Sequence, residues 1–272
     1  HDQHREKLMG QHEGRVAIVT GGAASIGAAI TRKLHAEGAT VLVAARSVDK
    51  GRAIEAELGA RARFVATDIT DDAALGALVD AAVSGFGRLD ILVNNACSYG
   101  DEGPATSRAT WLETLNVSAV SAAILGEVAR PHLAAVGGTI VNIGSISGVF
   151  PHVGRWAYPV AKAALRHLTK AQALDYAADG IRVNMVTLGH IWSDPFDGLT
   201  AGDRAHADAV SADLNLLGRV ADPSEVAEVV SFVASSAASY MTGSETSVDG
   251  GYGILGPERR IPLMPLLSGA QG

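Results

Sequence analysis

A tyrosine and a lysine stand four residues apart in the segment WAYPVAKAAL, at Tyr158 and Lys162. In a helix this spacing places both side chains on one face, one turn apart. Packing is the alternative role, but no acidic side chain lies beside the lysine, which is surrounded by Ala161, Leu165 and Arg166. Because a free ammonium favours a neighbouring phenolate, the pair is suited to exchanging a proton with an alcohol or carbonyl oxygen.

Short segments rich in β-branched residues alternate along the chain with segments of helical periodicity. The first kind is nearly continuously apolar, as strands buried on both faces must be. These segments lie at 15–20, 39–45, 62–67, 89–95, 138–144, 181–186 and 245–250. The alternation predicts an α/β fold: a single doubly wound, Rossmann-type domain with a central parallel sheet of about seven strands and helices on both faces.

The composition of the segments predicts the domain limits. Residues 1–13 are polar and form an N-terminal extension, 14–253 form the domain, and 254–272 form a C-terminal tail. Within the domain the alternation stops at 190–217, a stretch rich in Asp, Gly and Ala. We expect this insertion to be a substrate lid.

A glycine-rich turn, VTGGAASIG, follows the first strand and opens the first helix. In a doubly wound sheet such a turn directs backbone N–H groups and the positive end of a helix at one spot, which suits a pyrophosphate. Gly21 and Gly27 would permit the tight turn and the close approach of the ligand. A purely structural turn is the alternative.

Together with NNA at 94–96, Ser145 and the Tyr158–Lys162 pair, in this order, the turn resembles the classical short-chain dehydrogenase/reductase family. The resemblance covers residues 14–252. It implies hydride transfer between a nicotinamide cofactor and a secondary alcohol or ketone.

The resemblance also implies the catalytic roles. Tyr158 is expected to be the general acid/base, Ser145 to hold the reacting oxygen, and Lys162 to bind the cofactor ribose as well as the tyrosine. Asn116, in TLNVS, matches the family asparagine that helps to hold a water linking the lysine to solvent.

By the same resemblance, Asp68 and Ile69 should border the adenine, and Asn94 and Ala96 should line the adenosine and ribose side. Ile191 and Ser193 should contact the carboxamide of the nicotinamide ring. The full expected cofactor set is Gly21, Ser25, Ile26, Gly27, Arg46, Asp68, Ile69, Asn94, Ala96, Tyr158, Lys162, Gly189, Ile191 and Ser193.

Three residues depart from the family pattern. Ser25 stands where a glycine is usual, which adds a Cβ and a hydroxyl where the backbone should approach the phosphates. Leu188 replaces the proline that usually precedes Gly189. Pro159 follows the tyrosine directly, so either the helix has only just begun there or it is kinked at the site.

The end of the second strand predicts which cofactor is used. An acidic residue at this point would accept hydrogen bonds from the ribose hydroxyls of NAD, but Ala45 occupies the position and Arg46 follows it. Because a guanidinium can pair with the 2′-phosphate, the sequence favours NADP(H) over NAD(H). The alternative is that Arg46 is a solvated surface charge.

Several aromatic residues fall in segments expected to surround the nicotinamide, which predicts an apolar pocket for a hydrophobic, cyclic or aromatic substrate. The alternative is that Trp156 packs beneath the catalytic helix and Phe150 belongs to the core. His152 and His190 could give the pocket polar contacts, or they could be solvated or structurally bonded. The expected pocket residues are Cys97, Tyr99, Phe150, His152, Trp156, Trp192 and Phe196. No cluster of His, Cys and carboxylate residues predicts a metal site.

The formal charge of −7, without a basic cluster, argues against a nucleic-acid or anionic-membrane surface and favours a small-molecule partner. The N-terminus is polar, and no apolar run reaches the roughly 18 residues of a membrane span, so we expect a cytoplasmic protein. A single cysteine fits a reducing compartment. The family resemblance implies a homo-oligomer, a tetramer or dimer paired through helices near 105–134 and 153–178.

Two other functional classes stay open. One is a nucleotide-sensing or scaffold protein that kept the fold without turnover. The other is related chemistry on the same fold, either enoyl reduction or sugar-nucleotide epimerisation. The complete set of four expected catalytic residues disfavours the first, and the Tyr-to-Lys spacing together with the short C-terminal region disfavours the second.

Overall fold

The computed structural model describes residues 10–256, and its centre is a parallel sheet. The strand order is β3-β2-β1-β4-β5-β6-β7, which confirms the predicted doubly wound sheet of seven strands. The strands are β1 Val16–Thr20, β2 Thr40–Ala45, β3 Ala62–Ala66, β4 Ile91–Asn94, β5 Thr139–Ser145, β6 Arg182–Leu188 and β7 Glu245–Val248. The strand order reverses between β1 and β4, so their carboxyl ends flank a crevice suited to a ligand.

Helices cover both faces of this sheet. They are α1 Ser25–Ala36, α2 Val48–Leu58, α3 Asp72–Phe86, α4 Arg108–Leu115, α5 Ser121–Ala134, α6 Ala157–Tyr176, α7 Asp194–Thr200, α8 Arg204–Ser211 and α9 Pro223–Ala234. A π-helical turn, Asn116–Val120, joins α4 to α5. Because α6 begins at Ala157, Pro159 lies in its first turn, where an N–H has no intrahelical partner to lose.

The alternation of side chains along the strands builds two separate cores. Ala17 and Val19 face a layer made by α1, α2 and α9. Val16 and Ile18, on the opposite face of the same strand, pack against α3, α5 and α6. Each fully buried aliphatic side chain stabilises the fold by roughly 1.5–3 kcal/mol. The two cores fix the position of the sheet edge where the loops meet.

The predicted lid segment, 190–217, contains the two short helices α7 and α8. Asp203 caps α8 by accepting a hydrogen bond from the His206 N–H at 2.9 Å.

Residues 10–13 pack on the domain, although the sequence assigns them to the extension. His12 is fully buried, and its N–H donates to the Glu37 carbonyl at 3.0 Å. Its Nε2 lies 2.9 Å from the Ser231 hydroxyl on α9. The rest of the predicted extension and most of the predicted tail lie outside the described residues.

One helical stretch within residues 10–256, Arg108–Ala134, is long and apolar enough to cross a membrane by length and composition. In the fold it comprises α4, the π turn and α5, and 44% of its most apolar window is buried. Its inner face packs in the core against α3 and α6. Length and hydropathy alone therefore do not identify it as a membrane helix.

Candidate active site

Two cavities meet at the carboxyl edge of the sheet. The first, here called the nucleotide cavity, has a volume of about 370 Å³ and lies beside the glycine-rich turn and the ends of β2 and β3. The second, the catalytic cavity, has a volume of about 390 Å³ and lies between the ends of β5 and β6 and the start of α6. They share the lining residues Ile26, Asn95, Cys97, Tyr99 and Pro195, so they form one continuous cleft.

The glycine-rich turn shapes the floor of the nucleotide cavity. Gly21 has φ +64°, a conformation that favours glycine. A Cβ on Gly27 would overlap the Gly21 carbonyl and lie 2.6 Å from Asn95 Nδ2. The turn therefore leaves its backbone open to the cavity at the N-terminus of the 12-residue helix α1. This cradle fits the pyrophosphate of a dinucleotide.

Ser25 keeps the turn in the shape that a glycine would give it. Its φ is +49°, in the left-handed region, and the residue lines the nucleotide cavity. The Ser25 hydroxyl accepts a hydrogen bond from the Asp194 N–H at 3.4 Å. The substitution therefore strains the backbone without blocking the cavity.

The far end of the nucleotide cavity is lined by Arg46, Asp68 and Ile69, as the sequence predicts. Arg46 is exposed and follows Ala45, which also lines the cavity. The Thr70 N–H and hydroxyl donate to Asp68 and chiefly hold the pKa of that carboxyl below its usual value, with a smaller contribution from Arg46.

Asn94 and its neighbour Asn95 have different roles. Asn94 does not line the nucleotide cavity: it is buried and donates to Asn142 Oδ1 at 2.8 Å. Asn95, which the sequence analysis did not select, lines both cavities and donates to the Thr20 carbonyl at 2.9 Å. The Thr20 hydroxyl in turn accepts from the backbone N–H groups of Asn95 and Ala96, which ties the ends of β1 and β4 together.

Ser145 and Tyr158 face each other across the catalytic cavity. Ser145 is the last residue of β5, and its hydroxyl oxygen accepts from the Ser147 N–H at 3.1 Å. The same hydroxyl lies near enough to the Tyr158 phenol to act against the burial that raises the pKa of the phenol. A Cβ on Gly148 would lie 2.8 Å from the Lys162 carbonyl carbon, so glycine lets the turn after Ser145 pack directly on α6.

Lys162 lies one helical turn beyond the tyrosine and is 2% exposed. Its ammonium donates to the Ile143 carbonyl at 2.8 Å and lies 5.7 Å from the centre of the Tyr158 ring. Burial lowers the pKa of the lysine. The sequence offers Lys162 no acidic neighbour. In the structure a backbone carbonyl of β5 holds its ammonium instead.

The pKa of Tyr158 is raised, whereas a neighbouring positive charge alone would lower it. Burial is the largest influence and raises the pKa of the phenol above its ordinary value of 10.0, with Cys97 acting in the same direction and Ser145 and Arg155 against it. The sequence argument weighed the lysine charge and left out desolvation. In this structure Tyr158 is therefore a neutral phenol at pH 7, ready to donate a proton.

Asp101 fixes the start of the catalytic helix, and sequence reasoning missed it. One carboxylate oxygen accepts from the backbone N–H groups of Trp156 at 2.7 Å and Tyr158 at 2.9 Å. The other accepts from the Gly103 N–H at 2.8 Å and the Thr106 hydroxyl at 3.1 Å. Burial acts to raise the pKa of Asp101, but these hydrogen bonds outweigh it and lower the pKa below its usual value. Asp101 is more than 50 residues away from the helix in sequence, so no local sequence pattern could predict this cap.

Asn116 begins the π-helical turn, which packs against α6. Its carbonyl accepts from the Ser121 hydroxyl at 2.8 Å. The residue is partly buried and does not line either cavity.

The structure brings some of the expected substrate residues together and leaves others apart. Cys97, Tyr99, His152 and Phe196 line the catalytic cavity. The Tyr99 ring stacks on the Tyr158 ring, with centroids 5.5 Å apart. Gly189, Ile191 and Ser193, expected to meet the cofactor, line the same cavity, as does Leu188.

Three expected pocket residues are not among those that line the catalytic cavity. Trp156 is half exposed, Trp192 lies 5.3 Å beneath the Arg204 guanidinium, and Phe150 packs 5.8 Å from the Tyr252 ring. Sequence position placed them in the correct loops, but the direction of each side chain depends on the tertiary fold. Among residues 10–256, no group of three or more His, Cys, Asp or Glu side chains is arranged to hold a metal ion.

Comparison with known proteins agrees with this arrangement. A family profile described as Enoyl-(Acyl carrier protein) reductase matches residues 21–253. The chain is 41% identical over 244 residues to a cis-4-hydroxycyclohexanecarboxylate dehydrogenase of Sinomonas cyclohexanicum, covering 88% of this chain and 96% of the relative. It is 39% identical over 251 residues to a 3-alpha-(or 20-beta)-hydroxysteroid dehydrogenase of Mycobacterium tuberculosis, covering 90% and 91%.

A solved structure is similar over the same length. It is a 7 alpha-hydroxysteroid dehydrogenase complexed with NADH and 7-oxo glycochenodeoxycholic acid, with a TM-score of 0.83 and 29% identity. The match covers 90% of this chain and 96% of that chain. With its glycine-rich turn, its ordered serine, tyrosine and lysine, and these relatives, the chain belongs to the classical short-chain dehydrogenase/reductase family and is an oxidoreductase acting on CH–OH groups.

Proposed function

We propose that the protein is an NAD(P)-dependent dehydrogenase or ketone reductase for hydrophobic, cyclic secondary alcohols, with Tyr158 as the general acid/base. The observation that carries this proposal is the meeting of two features in one cleft. The phenol of Tyr158 and the hydroxyl of Ser145 face a cavity that opens directly into the dinucleotide cradle. A binding module would not need that pair at the junction.

The proton-transfer step follows from the side chains. The Ser145 oxygen already accepts from the Ser147 N–H, so its own O–H can donate to a carbonyl oxygen of the substrate. The Tyr158 phenol, kept neutral by burial, gives its proton to the same oxygen during reduction. In the oxidation direction the phenolate takes the proton from the alcohol. Lys162 stabilises that phenolate from one turn away.

The cofactor residues are those that line the cleft. The turn from Gly21 to Gly27 would hold the pyrophosphate, and Asp68 with Ile69 would border the adenine. When bound, the nicotinamide supplies or accepts the hydride. Lys162 would bind the ribose, and Ser193 would orient the carboxamide beside the catalytic cavity.

The preference for NADP(H) over NAD(H) is also part of the proposal. Arg46 is exposed at the end of the nucleotide cavity and follows Ala45. The alanine side chain cannot accept hydrogen bonds from the ribose hydroxyls, as a carboxylate would. A guanidinium at this place can pair with a 2′-phosphate.

The substrate class is supported by the cavity and by the names of the relatives. Tyr99, Phe196 and Leu199 give the catalytic cavity apolar walls. One similar protein is named for a hydroxylated cyclohexane ring and another for hydroxysteroids. Both names describe hydroxylated compounds that contain alicyclic rings.

The test is a binding titration with NADPH and with NADH, followed by the change in reduced-cofactor absorbance with a panel of cyclic ketones. We expect tighter binding of NADPH and turnover of at least one alicyclic ketone. Tighter binding of NADH would overturn the role of Arg46. Binding without turnover of any ketone would favour the nucleotide-sensing alternative.

We also propose that the chain forms a homo-oligomer through the outer faces of α4 to α6. These faces expose four large apolar side chains: Leu112, Val120, Val160 and Leu174. Leu174 is 79% exposed. Sedimentation velocity should show a dimer or tetramer that Leu174→Glu shifts towards smaller species, and a monomeric wild-type protein would contradict the proposal.

A further inference from the structure

We infer that the substrate carries a carboxylate group away from the reacting carbon, and that Arg155 recognises it together with His152 and His190. This inference rests on the proposed function and names the substrate class of the same site. The carboxylate is not changed in the reaction; it orients the ring so that the C–OH or C=O group meets Tyr158.

The first argument is the charge of the catalytic cavity. Its lining includes the cations of Arg155 and Lys162 and two imidazoles, and none of the lining residues is Asp or Glu. Lys162 is buried, donates to the Ile143 carbonyl, and is assigned above to Tyr158 and the cofactor ribose. A cavity with this lining attracts an anion and leaves Arg155 as the charge that can reach it.

The second argument is the state of Arg155. Its one side-chain hydrogen bond among residues 10–256 runs from Nη1 to the Asp101 carbonyl at 3.1 Å, and no acidic side chain in that range forms an ion pair with it. A tight turn aims the residue: Gly154 has φ +72°, and the Arg155 N–H donates to the His152 carbonyl at 3.2 Å. The remaining donors of the guanidinium suit a carboxylate.

The third argument is a pair of buried ring nitrogens. His152 Nε2 and His190 Nδ1 are buried and have no hydrogen-bond partner in the described part of the chain. Both histidines line the catalytic cavity, and both rings pack against Tyr252, at 6.0 Å and 5.6 Å between centroids. Buried polar atoms are normally paired, and a neutral imidazole can donate to a carboxylate oxygen.

The apolar residues near the mouth fit the rest of such a molecule. Val153 is fully exposed and Leu199 is 83% exposed, and both line the catalytic cavity. Arg155 and Tyr158 both line the catalytic cavity, whose volume is about 390 Å³. One alicyclic acid can therefore reach the guanidinium and the phenol together.

The direct test is calorimetric binding of cyclohexanecarboxylate and of cyclohexanecarboxamide to the protein with its preferred nicotinamide cofactor. We expect the acid to bind about tenfold or more tightly than the amide, because hydrogen bonds to a charged group are the stronger ones. Arg155→Gln should remove the difference. Arg52→Gln, which changes an exposed arginine on α2, should keep it.

Equal binding of the acid and the amide by the wild-type protein would overturn the inference, whatever the turnover. If Arg155→Gln fails to fold, His190→Gln takes its place and should also weaken the preference for the acid. An unchanged preference in a folded Arg155→Gln variant would likewise exclude Arg155 as the recognising group.

Kinetics separate this inference from the proposed function. The ratio of kcat/KM for 4-oxocyclohexanecarboxylate to that for its methyl ester should be about ten or more, and Arg155→Gln should reduce that ratio towards one. Turnover of both compounds at equal efficiency would contradict the inference and leave the dehydrogenase proposal standing. Selective binding of the acid without turnover of either compound would contradict the dehydrogenase proposal alone.

Discussion

Ser25 holds a backbone conformation that costs a serine free energy. Its φ of +49° lies in the left-handed region, where a residue with a Cβ is less stable than glycine by roughly 1–2 kcal/mol. Ser25→Gly should therefore raise the free energy of unfolding by about 1 kcal/mol, measured by chemical denaturation without cofactor.

Ala201 provides a matched control for this prediction, since its φ is +50° and it lies at the end of α7, outside the nucleotide cavity. Ala201→Gly should give a similar gain in stability with no change in cofactor affinity. A stability gain from Ala201→Gly but none from Ser25→Gly would show that the serine is not strained.

The raised pKa of Tyr158 predicts opposite pH dependences for the two directions of the reaction. Burial keeps the phenol protonated below its raised pKa, so ketone reduction, which needs the proton, should be independent of pH between about 6 and 9. Alcohol oxidation needs the phenolate and should accelerate by up to about tenfold per pH unit over the same range. Rate profiles in both directions test this, and a reduction rate that falls with rising pH below about 9 would contradict it.

The family resemblance, carried by residue type, order and spacing, was needed to select Ser145, Tyr158 and Lys162, because an isolated Tyr–Lys pair could equally serve packing. The acidity of the tyrosine could not be predicted in the same way. Desolvation depends on what surrounds the ring, and the stacked Tyr99 and nearby Cys97 come from a separate loop.

At the scale of elements, Asp101 joins the loop after β4 to the first turn of α6. Asp101→Ala removes the two hydrogen bonds to the Trp156 and Tyr158 backbone and should lower the free energy of unfolding by about 0.5–2 kcal/mol. Because those bonds fix the backbone of the catalytic tyrosine, kcat should also fall.

A second helix cap separates the two effects. Asp71 caps α3 by accepting from the Ala73 N–H at 2.9 Å. Asp71→Ala should cost similar stability while kcat is retained. If Asp101→Ala loses stability but keeps the wild-type kcat, then Asp101 is a structural cap and not a positioning residue.

The number of strands and their positions in the chain could be predicted from the apolar, β-branched runs, and all seven occur within a few residues of the expected positions. The contacts between elements could not be predicted from the sequence. The cap from Asp101 to Tyr158 and the approach of Gly148 to Lys162 join residues whose neighbours in sequence give no signal. The π turn at Asn116 likewise packs against α6, a contact between segments distant in sequence.

At the scale of the whole molecule, the segment around His12 joins the N-terminal residues to both α1 and α9. Burial is the main cause that lowers the pKa of His12 from 6.5 to about 4, with Arg15 and Lys33 adding to it and Glu37 opposing it. The folded state therefore binds fewer protons than the unfolded state between these values. Stability present above pH 6.5 is lost as the pH falls towards 4.

His12→Gln should remove this component of the pH dependence. Between pH 7 and pH 5 the wild-type protein should lose about 2 kcal/mol more of its unfolding free energy than the variant does. Other histidines are common to both proteins, so their effects cancel in the comparison. Parallel curves of stability against pH would show that His12 is not buried in its neutral form.

The central claim is that Tyr158 transfers the proton in an alcohol–ketone oxidoreduction. The measurement that tests it most directly is the kcat of Tyr158→Phe for reduction of a cyclic ketone, with cofactor affinity measured on the same sample. Removing the phenolic proton should lower kcat by about 10²-fold or more, while the dissociation constant of the cofactor changes little. A variant that keeps most of the wild-type kcat would contradict the claim.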